Sequence, residues 1–242
     1  MRAAERPVGS GVCVLSNDDR WVATPSGTDF LVVRVTFEKT GRARFISHLD
    51  LNRTMTRALR RAGLPIWYTE GFNKHPYVTF AAPLSLGYES EAESMDIRLI
   101  KEVPMEEVAA RLDAAMPEGL RVLSAAPAVK KPGDLGGARY RLTFGCALSE
   151  MTAFLAQPSI SAEKRTKKKE LKTIELKPYL ADCAAPTAAG ENTIWELTLP
   201  CGSSDTVNPS LIQQALSAFC GQEISCRVWR LALLDTEGER FA

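Results

Sequence analysis

LVVRVTFEKTGRARFISHLDLNRTMTRALRRAGLP, running from Leu31 to Pro65, is the stretch on which the fold turns. Leu31–Glu38 alternates and is rich in valine, the pattern of a strand with one face against a core. Ser47 then stands where a helix N-cap belongs. Its hydroxyl can accept from a free first-turn amide, and Asp50 follows as a variant of the capping box. Leu51, Met55, Ala58, Leu59 and Ala62 recur at helical spacing and form one apolar face. Gly63 stops the helix, with Pro65 just beyond.

Working outward, Ile66–Thr69, Tyr77–Ala81 and Ser94–Ile100 are short extended pieces. Pro104 opens a second helix, with Glu106 and Glu107 at its positive end and Val108, Leu112, Ala115 and Met116 as its buried stripe. Leu120–Leu123 returns as a strand. Lys130–Gly137, rich in glycine and lysine, has the composition of a linker. The succession then repeats. Tyr140–Phe144 is a strand, and Ser149 caps a helix carrying Met151, Phe154 and Leu155. Lys169–Leu176 and Thr193–Leu199 are extended. Asn208-Pro209 opens a helix that Gly221 ends, and Ile224–Leu234 closes as a strand. The expectation is an α+β protein of two tandem ferredoxin-like (βαββαβ) units, 30–129 and 139–242. A linker at 130–138 joins them, and residues 1–29 form a poorly ordered extension. The repeat rests on element order alone.

At 242 residues, 45% of them hydrophobic, the chain can bury a sizeable core. The net charge of +1 creates no global attraction to nucleic acid or membrane, so any such attraction is local. No apolar run reaches membrane-spanning length, and the N-terminus lacks the apolar core of a signal peptide. The six cysteines include no C-x-x-C pair, and only two histidines are present; no metal site and no cofactor is implied. Reduced thiols in a cytoplasm are the simplest reading. P-loop, HExxH, nucleophile-elbow and dinucleotide patterns do not occur.

The chemistry-bearing residues concentrate between Arg44 and Gly87. Arg53, Arg57, Arg60 and Arg61 fan across the helix side opposite its apolar face. They form either a solvated face or a ridge that tracks phosphates, which suit guanidinium forks. His48 follows the cap and lies nearer the apolar side, as a half-buried, hydrogen-bonded histidine would. His75 sits between Lys74 and Pro76 in a loop, as a binding residue or as one that fixes the loop. A second basic cluster comprises Lys164, Arg165, Lys167, Lys168 and Lys169, extended by Lys172 and Lys177. It suits a nucleic-acid backbone, or else protects an edge strand from aggregation.

The runs FISHLDL (45–51), RALRRAGLP (57–65), GFNKHP (71–76) and TFAAPLSLGYESEAESMDI (79–97) resemble the radical-SAM-linked bacterial proteins, a family of unknown function. Its members stand alone beside radical SAM enzymes or are fused to them. KRTKKKELKTIELKPYL (164–180) is similar to the family's basic segment. This chain has Lys74 where the family has proline and Lys169 where it has glycine. Glu175-Leu176-Lys177-Pro178 replaces Asp-Leu-Arg-Pro, and Asn208-Pro209 replaces Arg-Pro. The chain lacks the C-x-x-x-C-x-x-C motif, so the resemblance implies the accessory half: a non-catalytic partner of a radical SAM enzyme. Together with the local basicity, it suggests a protein that binds RNA (tRNA or rRNA) or presents substrate. Arg53, Arg57, Arg60, Lys74, His75 and Lys164–Lys169 would be the contacts. The alternatives are an adaptor without nucleic acid, and a metal-independent endoribonuclease using His48 or His75.

Overall fold

The computed structural model describes residues 21–22, 29–165, 171–202 and 206–241. In the first half, β1 (Trp21–Val22) and β2 (Phe30–Lys39) precede a 3-10 turn at Gly41–Phe45, and α1 (His48–Arg61) follows. Then come β3 (Val78–Phe80), β4 (Glu89–Leu99), α2 (Met105–Ala114) and β5 (Leu120–Pro127). In the second half, β6 (Leu135–Phe144) leads to α3 (Leu148–Leu155) and a hairpin of β7 (Ser161–Arg165) and β8 (Leu171–Glu175). A turn of helix α4 (Lys177–Leu180), β9 (Thr187–Ala189), β10 (Asn192–Pro200), α5 (Pro209–Cys220) and β11 (Cys226–Asp235) complete it. The class is α+β.

The strands pair as β5–β2–β4–β3 in the first half and β11–β6–β10–β9 in the second. The two sets are not separate sheets. β4 and β11 pair in parallel, Trp229 against Glu89 and Arg230 against Ser90, so the described strands other than the β7–β8 hairpin form one sheet of nine. Of the expected extension, Trp21–Val22 pairs antiparallel with Leu31 and Phe30; residues 1–20 and 23–28 lie outside the described residues.

Each half keeps its own core. In the first, Val33, Val35 and Phe37 of β2 and Met95, Ile97 and Leu99 of β4 face Leu51, Met55, Ala58 and Leu59 of α1 and Leu112 of α2. In the second, Tyr140, Leu142 and Phe144 meet Trp195, Phe154, Ile212 and Leu216. Each fully buried side chain of this size contributes about 1.5–3 kcal/mol of transfer free energy, which is why the period-two and helical patterns dominate.

Several boundaries differ from the expectation. β4 starts at Glu89 rather than Ser94, because its early polar residues are buried at the junction of the halves. The N-cap of α3 is Ala147, whose amide donates to Glu150 Oε2 at 2.9 Å, rather than Ser149. Residues 130–138 are not an open linker: a 3-10 turn occupies Pro132–Asp134 and β6 begins at Leu135. Gly136 is required there by close approach, since a Cβ would sit 2.7 Å from the Asp235 carbonyl oxygen. Gly63 takes φ +61° after α1, as its stop role demands. Among the described residues no helix is long and apolar enough to cross a membrane.

Candidate functional site

α1 is anchored at its entrance as its sequence dictates. The Asp50 amide donates to Ser47 Oγ at 3.1 Å, and the Ser47 hydroxyl donates to Asp50 Oδ2 at 2.7 Å. That hydroxyl holds the Asp50 carboxyl below the usual carboxylate range, with Arg53 acting in the same sense. Ile46 packs on the core that takes up Leu51, the arrangement of a hydrophobic staple. At the other end, Arg111 donates to the carbonyls of Ala62 and Gly63, satisfying groups the helix leaves open.

Around this entrance lie apolar side chains that the cores do not use. Phe45, Leu49 and Leu86 are 62%, 60% and 63% exposed. The Arg44 guanidinium lies 4.6 Å over the Phe45 ring. The Gly87 amide donates to the Arg44 carbonyl at 2.8 Å, which sets Leu86 beside this turn. His48 is exposed, not half-buried. Phe80 of β3 meets it, ring edge to face at 5.0 Å between centroids, and among the described residues no backbone group bonds to its ring.

Residues 81–88 bridge the two halves. Arg230 of β11 donates to the Ala82 carbonyl at 3.1 Å and to Glu93 Oε1 at 2.9 Å, and both side chains are almost fully buried. Lys39 Nζ donates to the carbonyls of Arg44 and Tyr88. Burial lowers the Lys39 pKa despite the nearby Glu93 and Glu89. Glu89 accepts from the Gly41 amide at 3.0 Å and from Arg227 Nε at 2.8 Å, with Arg44 at 3.4 Å. Burial opposes its charge, but those donors outweigh burial and hold its carboxyl below the ordinary value. The Tyr88 hydroxyl, pushed up to about 12 by burial, donates to Asn208 Oδ1 at 2.7 Å. Asn208 is also the N-cap of α5 and donates to Ser85 Oγ. The residues between Arg44 and Glu89 therefore tie the entrances of α1 and α5 to one buried charged seam.

The family described as "Uncharacterized protein conserved in bacteria" (DUF2344) matches residues 33–209. The chain belongs to this family. The matched span includes α1, the 81–88 bridge and the basic hairpin. No curated protein matches the chain. A crystal structure of an unknown protein from Galdieria sulphuraria aligns with 82% of this chain and 97% of its own, at 12% identity and a TM-score of 0.26. Those values are too low to bear on fold or function.

The residues expected to form a binding surface divide into groups. Arg53 is exposed and paired with Asp50 at 3.2 Å. Arg57 and Arg60 are exposed and have no carboxylate partner among the described residues. Arg61 instead donates to the Ala115 carbonyl at the end of α2. Lys74 is exposed in a hairpin tip beside Phe72, and the Tyr68–Pro76 bridge closes this tip. His75 fixes that tip: its amide donates to Thr69 Oγ1, and Nδ1 lies 2.9 Å from the Asn73 carbonyl. A carbonyl only accepts, so this contact places a proton on Nδ1.

In the second cluster, Lys164 Nζ donates to the Thr206 carbonyl at 3.0 Å, which places the hairpin against the approach to α5. Lys177 holds the end of α3 through the Leu155 and Gln157 carbonyls, and Glu175 accepts from the Ile160 and Lys177 amides. The Glu175-Leu-Lys177-Pro step is thus a structural clamp. Lys167, Lys168 and Lys169 lie outside the described residues, as does the side chain of Arg165. The cavity at the C-terminal end of α1 is lined by Arg61, Arg111 and Met116, and neither Lys164 nor Lys172 of the described hairpin residues reaches it.

The sequence reading missed Lys39, Glu89, Glu93, Arg227 and Arg230. A signal existed: Arg230 sits in VWRLALL and Arg34 in VVRVTF, and a charge inside such a run demands a buried partner. Arg34 finds it in Asp96, with both carboxylate oxygens accepting.

Proposed function

We propose that this protein is a non-catalytic accessory partner of a radical SAM enzyme that holds an RNA substrate along α1. The observation that carries the RNA part is the pair Arg57 and Arg60. They are exposed, without a carboxylate partner among the described residues, and presented by a helix fixed at both ends. A rigid row of guanidinium groups suits a phosphate backbone. The radical SAM partner rests on the family resemblance of residues 44–100. Binding of a tRNA or rRNA fragment should weaken steeply with salt; no binding at low salt would remove the RNA part.

A second reading is favoured by Phe45, Leu49 and Leu86, whose exposure beside Arg44 suits a protein surface better than a phosphate chain. In that case the chain is an adaptor that docks the enzyme directly. Co-purification of the enzyme that survives nuclease and is lost in Phe45→Ser/Leu86→Ser selects this reading. Neither reading gives His48 or His75 a chemical step: one stands on Phe80 and the other closes a loop.

A further inference from the structure

On the face of the sheet turned away from the helices, Arg98 alternates with the core residues Ile97 and Leu99 of β4. Its guanidinium carbon lies 3.6 Å from the ring centroid of Tyr77, 4.1 Å from that of Phe30 and 4.9 Å from that of Trp67. Its Nε is buried without a hydrogen-bond partner, and no carboxylate among the described residues pairs with it. Three rings therefore shield from water a cation that has no counter-charge among the described residues.

A cavity of about 360 Å³ opens at this point, lined in part by Tyr77, Thr79, Asp96, Arg98, Lys130 and Lys131. The Asp96 carboxylate does not neutralise it, because Arg34 Nε and Nη2 occupy both oxygens at 2.8 and 3.0 Å. Lys130 is engaged by Asp235. Lys131 is exposed, and its ammonium has no acidic partner among the described residues. The cavity is thus lined by two cations with no carboxylate partner among the described residues and by two hydroxyl-bearing side chains, Tyr77 and Thr79, in a volume within the usual range for small-molecule sites.

We propose that this cavity binds a small molecule through an oxyanion, a phosphate monoester or a carboxylate, with Arg98 as the fork and Lys131 and Thr79 as flanking contacts. Guanidinium edges remain available when aromatic rings cover the faces, and charge-assisted bonds strengthen where water is excluded. The site is separate from the α1 surface, so it stands or falls independently of the RNA reading.

Trp67 packs against Arg98, so its emission reports occupancy. The full chain is titrated with inorganic phosphate and, separately, with malonate, following tryptophan emission and thermal unfolding. Saturable binding of one probe is expected, and the identity of that probe separates phosphate from carboxylate. Arg98→Gln should weaken it about tenfold or more, the worth of a charged hydrogen bond. Lys131→Gln, at an exposed position, should weaken it about threefold by the loss of a flanking charge. If Arg98→Gln does not fold, Lys131→Gln and Thr79→Val carry the test. Absence of saturation with both probes overturns the proposal, as does wild-type affinity in the variants. So does Arg98-dependent binding of an RNA oligonucleotide alone.

Discussion

Removing the Glu93 carboxylate tests the buried seam most severely. Glu93 and Arg230 have side chains 2% and 3% exposed, and Arg230 Nη1 donates to Glu93 Oε1 at 2.9 Å. Burial works against the Arg230 charge, and Glu93 together with Tyr140 and Cys201 more than offsets it, raising the guanidinium above its ordinary range. In Glu93→Ala, Arg230 keeps the carbonyls of Ala82 and Pro83 and the Tyr140 hydroxyl, but it loses its counter-charge. Lys39, already disfavoured by burial, would lose the attraction of Glu93 as well and keep that of Glu89 against the repulsion of Arg230. Breaking a buried pair from one side costs about 3–5 kcal/mol. For a chain of this size that corresponds to a fall in Tm of about 6–20 °C. Differential scanning calorimetry reads it directly. The double variant Glu93→Ala/Arg230→Met removes the orphaned charge and should recover a large part of the loss. A single variant within about 1 kcal/mol of the parent would show that the seam is solvated and that the bridge at 81–88 is held by something else.

Other expectations follow from the same geometry. Ser47→Ala should cost about 1 kcal/mol through loss of the cap, measured by urea denaturation, and Ser47→Thr, which keeps the hydroxyl, should restore most of it. Glu89 has a carboxyl pKa depressed below the ordinary 4.5, so its contribution is fully present above that value and is lost as pH falls through the lower folded value. Glu89→Gln should therefore flatten the acid limb of a stability–pH curve below about pH 4.5; an unchanged slope there contradicts the assignment. Tyr88→Phe leaves the Asn208 carbonyl oxygen without its bond from the first half. Hydrogen exchange at the Ser210 and Leu211 amides should quicken, whereas unchanged protection would mean that the bridge does not steady α5.

What the sequence disclosed was local. Ser47, the Leu51–Leu59 stripe and Gly63 define α1 through bonds made within a few residues, and Asn208, Pro209 and Gly221 do the same for α5. What it concealed was set by contacts distant in sequence. Glu89–Ser94 is too polar to read as a strand until Arg227 and Arg230, more than 130 residues away, supply partners. Lys130–Gly137 has a linker's composition, yet Gly136 is there because β11 presses on it. At the binding surface, charge alone did not separate Arg57 and Arg60, which face solvent freely, from Arg61, Lys164 and Lys177, which hold carbonyls. That division depends on where neighbouring helix ends fall. The exposed Phe45 and Leu86 escaped because buried neighbours, Ala43 and Leu51 for the one and Ala82 and Leu84 for the other, give each run the look of core.

The most direct test of the RNA-holding role is fluorescence anisotropy of a labelled tRNA fragment, titrated with the full chain and with Arg57→Glu/Arg60→Glu at several salt concentrations. Each phosphate contact with single-stranded or duplex nucleic acid adds about 0.7–0.9 to the slope of log affinity against log salt. The account predicts a steep slope for the parent chain and a slope shallower by about 1.4–1.8 in the double variant, with weaker binding throughout. A parent slope near zero, or two proteins that bind alike at every salt concentration, would contradict it.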